Sequence, residues 1–168
     1  MGKVLTIDPG IKGLGYALWP DFGETIVGKD CIEPLITDVI SIPRKKKARE
    51  RDWTMKVDWF VNQLRGAMSA FPDYPEIMFI EFPEVYNTAK SDMASKKGDL
   101  FILAFMAGCL TESLSDYGCK SELVPPSKWK GQMNKKAVHA RIMKRLGKKY
   151  REHEADAVGL GLWVQGRF

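Results

Sequence analysis

Lys3-Val-Leu-Thr-Ile-Asp8-Pro9-Gly10-Ile-Lys-Gly13-Leu-Gly15 is the stretch on which the reading of this chain turns. Val4 to Ile7 form a short run of the buried-strand type, and it stops on a carboxylate and a Pro-Gly turn. A carboxylate at the end of a buried strand is costly to desolvate unless something compensates it: a cation, a hydrogen-bond nest or a bound metal. Gly10, Gly13 and Gly15 let the backbone bend tightly and come close to whatever Asp8 serves. Taken alone, the stretch reads equally well as a hairpin turn capped by its Asp.

A second stretch repeats the pattern. Ile77-Met-Phe-Ile80 is continuously apolar, and it closes on Glu81 and then Phe82-Pro83. Two buried-type strands that each end on an acid are a more specific signal than one. Side by side in a sheet, Asp8 and Glu81 come within reach of one divalent cation, whose charge offsets their repulsion.

The segments between these two divide into recognisable elements. Leu14 to Trp19 reads as a second strand, Pro20-Asp-Phe-Gly23 as a hairpin turn and Thr25 to Ile32 as a third strand. Residues 34–43 read either as a short extra strand or as an insertion. Arg44-Lys45-Lys46-Lys47-Ala-Arg-Glu-Arg51 is a dense basic run leading into a helix with Trp53, Val57, Phe60, Val61, Leu64 and Met68 on one face. Positive charge does not suit a helix N-terminus, so the run points to contacts outside the fold, such as phosphates.

Beyond Glu81, residues 84–95 read as a polar loop with one aromatic, Tyr86; Lys90 lies in it and Lys96 and Lys97 follow. From Asp99 an apolar helix follows, whose broad face (Leu100, Leu103, Ala107, Leu110, Leu114) is widened by Phe101, Phe105 and Met106. Core packing accounts for most of that face, and the excess width suits a second helix or a dimer partner. Residues 121–125 form a short strand. A basic loop with Lys128, Trp129, Lys130, Lys135 and Lys136 then opens a helix that Asn134 can cap. His139 on that helix reads as a plain surface residue.

Composition sets the class. The 168 residues suit one domain, residues 1–168, with 45% hydrophobic and 28% charged residues, as in an ordinary globular protein. The net charge of +5 favours a polyanionic partner. Cys31, Cys109 and Cys119 are odd in number and lack C-x-x-C spacing, which fits a reducing compartment rather than a disulfide or zinc framework. No apolar run is expected to reach a membrane span and the first residues do not resemble a secretory signal, so the expectation is a cytoplasmic protein with no membrane partner.

The last helix, residues 152–164, carries His153-Glu-Ala-Asp156 at its start. Residues three apart on a helix project from one face, so His153 and Asp156 act together, while Glu154 points about a quarter-turn away. Asp8, Glu81, His153 and Asp156 form one candidate set of metal-binding and catalytic side chains.

In order and spacing, these marks resemble the RuvC family of Holliday-junction resolvases, in the RNase H-like superfamily. The resemblance runs nearly end to end. It rests on the Ile7-Asp8-Pro9-Gly10 strand and turn, the 75–81 strand closing on Glu, the basic 127–136 segment and the terminal His153-x-x-Asp156. It implies an α/β, RNase H-like fold: a five-stranded mixed β-sheet flanked by α-helices. It also implies a homodimer and two divalent ions, Mg²⁺ or Mn²⁺, per active site. Asp8 would bridge the ions, with Glu81 and Asp156 as further ligands. His153 stands where many family members have Asp, which leaves two roles open: a neutral ligand, or a base orienting the attacking water. The implied activity is paired symmetric nicking of four-way DNA junctions, leaving 5′-phosphate and 3′-hydroxyl ends. Tyr86 would probe the junction's bases. Lys90, Lys96, Lys97, Lys128, Lys130, Lys135, Lys136 and the run Arg44, Lys45, Lys46, Lys47 would hold DNA phosphates. The compact length fits a bacterial, viral or organellar setting, so cytoplasm here means that of a bacterium or of a host cell.

Three rivals bear on this reading. Asp8-x-Gly10 with Gly15 also fits the phosphate loop of sugar kinases and related ATPases, but those need two lobes and a second Asp-x-Gly loop that this chain lacks. An RNase H-like nuclease acting on other branched DNA or on RNA–DNA hybrids is closer. A non-catalytic junction-binding module is disfavoured because all four positions hold plausible ligands.

Overall fold

The computed structural model describes residues 2–22, 32–42, 52–84 and 98–168. Among these, five strands form one mixed sheet: β1 (Val4–Asp8), β2 (Gly13–Trp19), β3 (Ile36–Ser41), β4 (Ile77–Glu81) and β5 (Lys120–Val124), in the order β3-β2-β1-β4-β5. β2 runs antiparallel to both β1 and β3, whereas β1, β4 and β5 are parallel. The helices are α1 (Trp53–Ser69), α2 (Asp99–Ser113), the four-residue α3 (Pro126–Trp129), α4 (Lys135–Leu146) and α5 (Glu152–Val164).

The sheet divides its side chains by parity, as the pleat requires. Leu5, Ile7, Leu14, Tyr16, Leu18, Met78 and Ile80 face α1 and α2, where Phe60, Leu64, Met106 and Leu110 complete one core. Val4, Ala17, Trp19, Phe79 and Val124 face the other way, against α3, α4 and α5. Asp8 has the parity of Val4, and Glu81 that of Phe79. Both acids therefore fall on the α5 side. The parallel register pairs Ile7 with Ile80, so the next residues, Asp8 and Glu81, emerge together at the same edge of the sheet.

α5 crosses β1 and β2, and small residues bring it close. A Cβ on Gly15 would stand 2.1 Å from the carbonyl oxygen of His153, and one on Gly161 would stand 2.2 Å from the Trp19 indole. The fully buried Trp19 donates from Nε1 to Thr6 Oγ1 (2.8 Å), which donates to the Ala157 carbonyl (2.8 Å). One hydroxyl thus joins β1, β2 and α5. At the start of α5, Glu154 accepts from the Arg151 backbone N–H (3.1 Å), half of a capping box, and also accepts from the Thr37 hydroxyl. These two bonds keep Glu154 out of the acid cluster, as its quarter-turn offset leads one to expect.

Several sequence readings are resolved here. Residues 34–43 contain a strand, β3, rather than an insertion. The third strand expected at 25–32 lies outside the described residues except for Ile32, which is not in a strand. Asp52 caps α1 and Asn134 caps α4 through their side chains. One expectation is corrected: the helical stretch Asp99–Tyr117, 19 residues with mean hydropathy 1.2, is long and apolar enough to cross a membrane by length and composition alone. Its apolar residues go nearly all round. Met106, Ala107 and Leu110 are buried against the core, while Phe101 and Phe105 stand exposed, edge-on to Trp53.

Candidate metal centre

Asp8, Glu81 and Asp156 converge at the carboxyl edge of β1 and β4, with one oxygen of each lying within 4.8 Å of the others. The strands deliver two of these acids by parity and register, and α5 delivers the third from the start of its second turn. His153, one turn before Asp156, brings Nδ1 to 2.6 Å from Asp8 Oδ2. Its ring lies on Gly10, where a Cβ would come 2.4 Å from the ring's Cε1. The glycines of the opening turn therefore make room for the imidazole.

Two further side chains complete the cluster. The Lys130 ammonium donates to both oxygens of Glu81 (3.1 and 3.0 Å) and to Asp156 Oδ2 (3.1 Å). Trp129 Nε1 donates to Glu81 Oε2 at 2.8 Å, with its ring packed against Gly159 and Phe168. Glu84, just beyond β4, fixes the start of α3 by accepting from the Ser127 backbone N–H (3.1 Å) and hydroxyl (2.9 Å). The segment holding Trp129 and Lys130 is thereby tied to the strand that carries Glu81.

The electrostatics are those of crowded acids. Burial, and then the neighbouring Asp8, push the Glu81 carboxyl up to about 8 despite Lys130. Burial raises Asp8 as well, offset in part by His153. The hydrogen bond to Asp8 raises the His153 imidazole against the opposing effect of burial. For Lys130, burial works against the charged form, but Glu81 and Asp156 outweigh it and its pKa is raised. Three oxygen donors gathered round one point, already drawing in a cation of the chain's own, form a donor set suited to a hard divalent ion.

The four residues read from the sequence as one set are thus brought together. Lys130, expected among the phosphate contacts, stands in the acid cluster instead. Of the other basic candidates, Lys128 pairs with Glu122 at 3.0 Å and Lys135 pairs with Glu152, while Lys136 is exposed with no ion-pair partner among the described residues. Arg44, Lys45, Lys46, Lys47, Tyr86, Lys90, Lys96 and Lys97 lie outside the described residues. Trp129 was missed as a site residue. The available signal was a Trp-Lys pair a few residues beyond β5, at the end of the short helix α3.

No protein-family model matches the sequence, and no curated protein does. Among solved structures, Thermus thermophilus RuvC is similar over 95% of this chain and 91% of its own, with TM-score 0.66 and 19% identity. The fowlpox virus resolvase, solved with substrate Holliday-junction DNA, is similar over 98% and 97%, with TM-score 0.53 and 14% identity. The yeast mitochondrial Holliday-junction resolvase Ydc2 is similar over 99% of this chain and 77% of its own, with TM-score 0.59 and 14% identity. With its five-stranded mixed sheet and flanking helices, the chain has the RuvC-like form of the RNase H-like α/β fold.

Proposed function

We propose that the chain is a divalent-metal-dependent endonuclease that resolves four-way DNA junctions by paired symmetric nicks, leaving 5′-phosphate and 3′-hydroxyl ends. One observation carries this reading: the Asp8–Glu81–Asp156 cluster at the carboxyl edge of a RuvC-like sheet. Asp8, Glu81 and Asp156 would hold two Mg²⁺ or Mn²⁺ ions. Such ions supply charge stabilisation and an activated water for in-line attack on a phosphodiester.

The chain's own groups have separate tasks. Asp8, anchored at the end of β1, is oriented by His153. Because Nδ1 faces Asp8, Nε2 is the nitrogen left to accept a proton from a water at the site. Trp129 holds Glu81 in one rotamer through its N–H. Lys136 and the other basic residues named from the sequence, Lys130 excepted, contact phosphates, giving salt-sensitive and largely sequence-independent affinity. The protein works as a homodimer in which two copies place their sites on opposite strands, and the exposed Phe101 and Phe105 of α2 suit that contact.

The test is cleavage of a mobile four-way junction in Mg²⁺ or Mn²⁺, wild type beside Asp8→Asn, with a linear duplex and an RNA–DNA hybrid alongside. Paired nicks in the junction, lost in Asp8→Asn while binding persists, are expected. Preferential cutting of the hybrid would move the assignment to an RNase H activity. Junction binding without any cutting would leave a binding module. Sedimentation of a monomer, with and without junction DNA, would remove the dimer.

A further inference from the structure

Lys130 stands out because the basic residues around it do something different. Lys128 and Lys135 each pair with a single exposed acid, and Lys136 points to solvent. Lys130 instead turns inward, with its side chain only 18% exposed and its ammonium spanning Glu81 and Asp156 at 3.0 and 3.1 Å. Its Nζ stands over the Trp129 ring, 4.8 Å from the ring centroid, so a cation–π contact adds to the ion pairs. The segment that carries it is held in place: Trp129 bonds Glu81, and Glu84 fixes the start of α3 through Ser127.

An ammonium is a compact point charge on a flexible stem, able to take more than one position without moving the backbone. Here it donates to two of the three acids that could hold an ion. Its three bonds occupy both carboxylate oxygens of Glu81 and one of Asp156, two of the three acids gathered round the candidate ion site.

We propose that Lys130 is a resident counter-cation of the Asp8–Glu81–Asp156 cage, displaced by an entering divalent ion, and that it thereby sets the ion concentration at which the site loads. The inference rests on the reading of these acids as an ion site, and it concerns what the chain itself does there. Without an ion, the ammonium screens Glu81 from Asp156 and lets both stay buried. Entry of an ion then requires the ammonium to withdraw, so the measured ion affinity is the intrinsic affinity of the acids reduced by this competition. A cage without the lysine charge binds ions more tightly and is less stable when empty.

Lys130→Met keeps the apolar stem and removes the charge. Titration calorimetry with Mn²⁺ alone, on full-length protein stripped of ions, should show Lys130→Met binding about tenfold more tightly than wild type, because an opposite charge this close shifts such equilibria by an order of magnitude or more. Melting in chelator should show the variant losing stability relative to wild type, with the loss reversed by Mn²⁺. A second measurement needs no variant: reductive methylation of wild-type lysines, read residue by residue by mass spectrometry. Lys130 should react slowly in chelator and several-fold faster at saturating Mn²⁺, with the exposed Lys136 unchanged as the reference. Equal Mn²⁺ affinity in the two proteins, or Lys130 labelling indifferent to Mn²⁺, would overturn the exchange while leaving the ion site standing. Absence of Mn²⁺ binding in both proteins would overturn the exchange and the ion site together.

Discussion

His153 Nδ1 lies 2.6 Å from Asp8 Oδ2, although 145 residues separate the two in the chain. In this pair the imidazole is raised above its usual 6.5, so its contribution to stability is fully present below 6.5 and is lost as pH climbs through the raised folded value. Asp8 and Glu81 act with the same sign. Each is raised by burial, so the folded chain holds more protons than the unfolded one, and stability falls as these acids are forced to ionise. For Glu81 the window runs from 4.5 to about 8. Thermal melts in chelator should therefore show a midpoint that drops steadily across this window. Added Mg²⁺ should flatten the drop, because metal binds the deprotonated ligands. A midpoint that rises with pH in chelator would contradict the account.

Asp8→Asn should separate stability from activity. Neutralising a buried acid beside Asp156 relieves the burial cost and the repulsion, so the ion-free variant should melt no lower than wild type at neutral pH. Its junction cleavage should fall at least roughly a thousandfold, as expected when one member of a cooperating catalytic set is removed. Single-turnover cleavage beside a melting curve reads both at once.

Trp129→Phe keeps an aromatic ring against Gly159 and Phe168 but deletes the N–H that meets Glu81 Oε2. A typical intramolecular hydrogen bond is worth about 0.5–1.5 kcal/mol. Groups that orient a metal ligand typically change ion affinity about tenfold or more when removed. The variant should remain folded, lose about that much stability in urea, and bind Mn²⁺ more weakly by calorimetry. This shift is opposite in sign to that expected for Lys130→Met.

Thr6→Val tests the join between the sheet and α5. The swap keeps the shape and removes the hydroxyl that accepts from Trp19 and donates to Ala157. Leaving the buried indole N–H without a partner should cost about 1–3 kcal/mol. Since α5 carries His153 and Asp156, ion affinity should weaken along with stability. Urea unfolding with and without Mn²⁺ would show whether the two losses travel together.

The parts of the site legible in the sequence were those fixed by strand periodicity and helix spacing. Asp8 and Glu81 end apolar runs, and His153 and Asp156 are three apart on a helix, so each could be placed from local pattern alone. Lys130 and Trp129 could not. Their reach to Glu81 depends on β5 lying beside β4 and on Glu84 fixing the turn into α3, which are tertiary facts that a basic loop after two prolines does not advertise. β3 was ambiguous for a related reason. It is an edge strand with Ile36 and Asp38 both exposed, so it lacks the clean alternation of a strand with one buried face. The breadth of α2 was visible as composition, but which side meets the core was not, because an all-round apolar helix has no periodic signal to read.

Gly15 has no functional group, yet a single added carbon there would collide with the backbone of the residue that orients Asp8. In a saturation-mutagenesis selection for function, this glycine should be depleted about as severely as the acids, and Gly161, seated on Trp19, nearly so. Ranking positions by chemical reactivity alone would overlook both. The active geometry is specified as much by where the chain omits atoms as by where it supplies them.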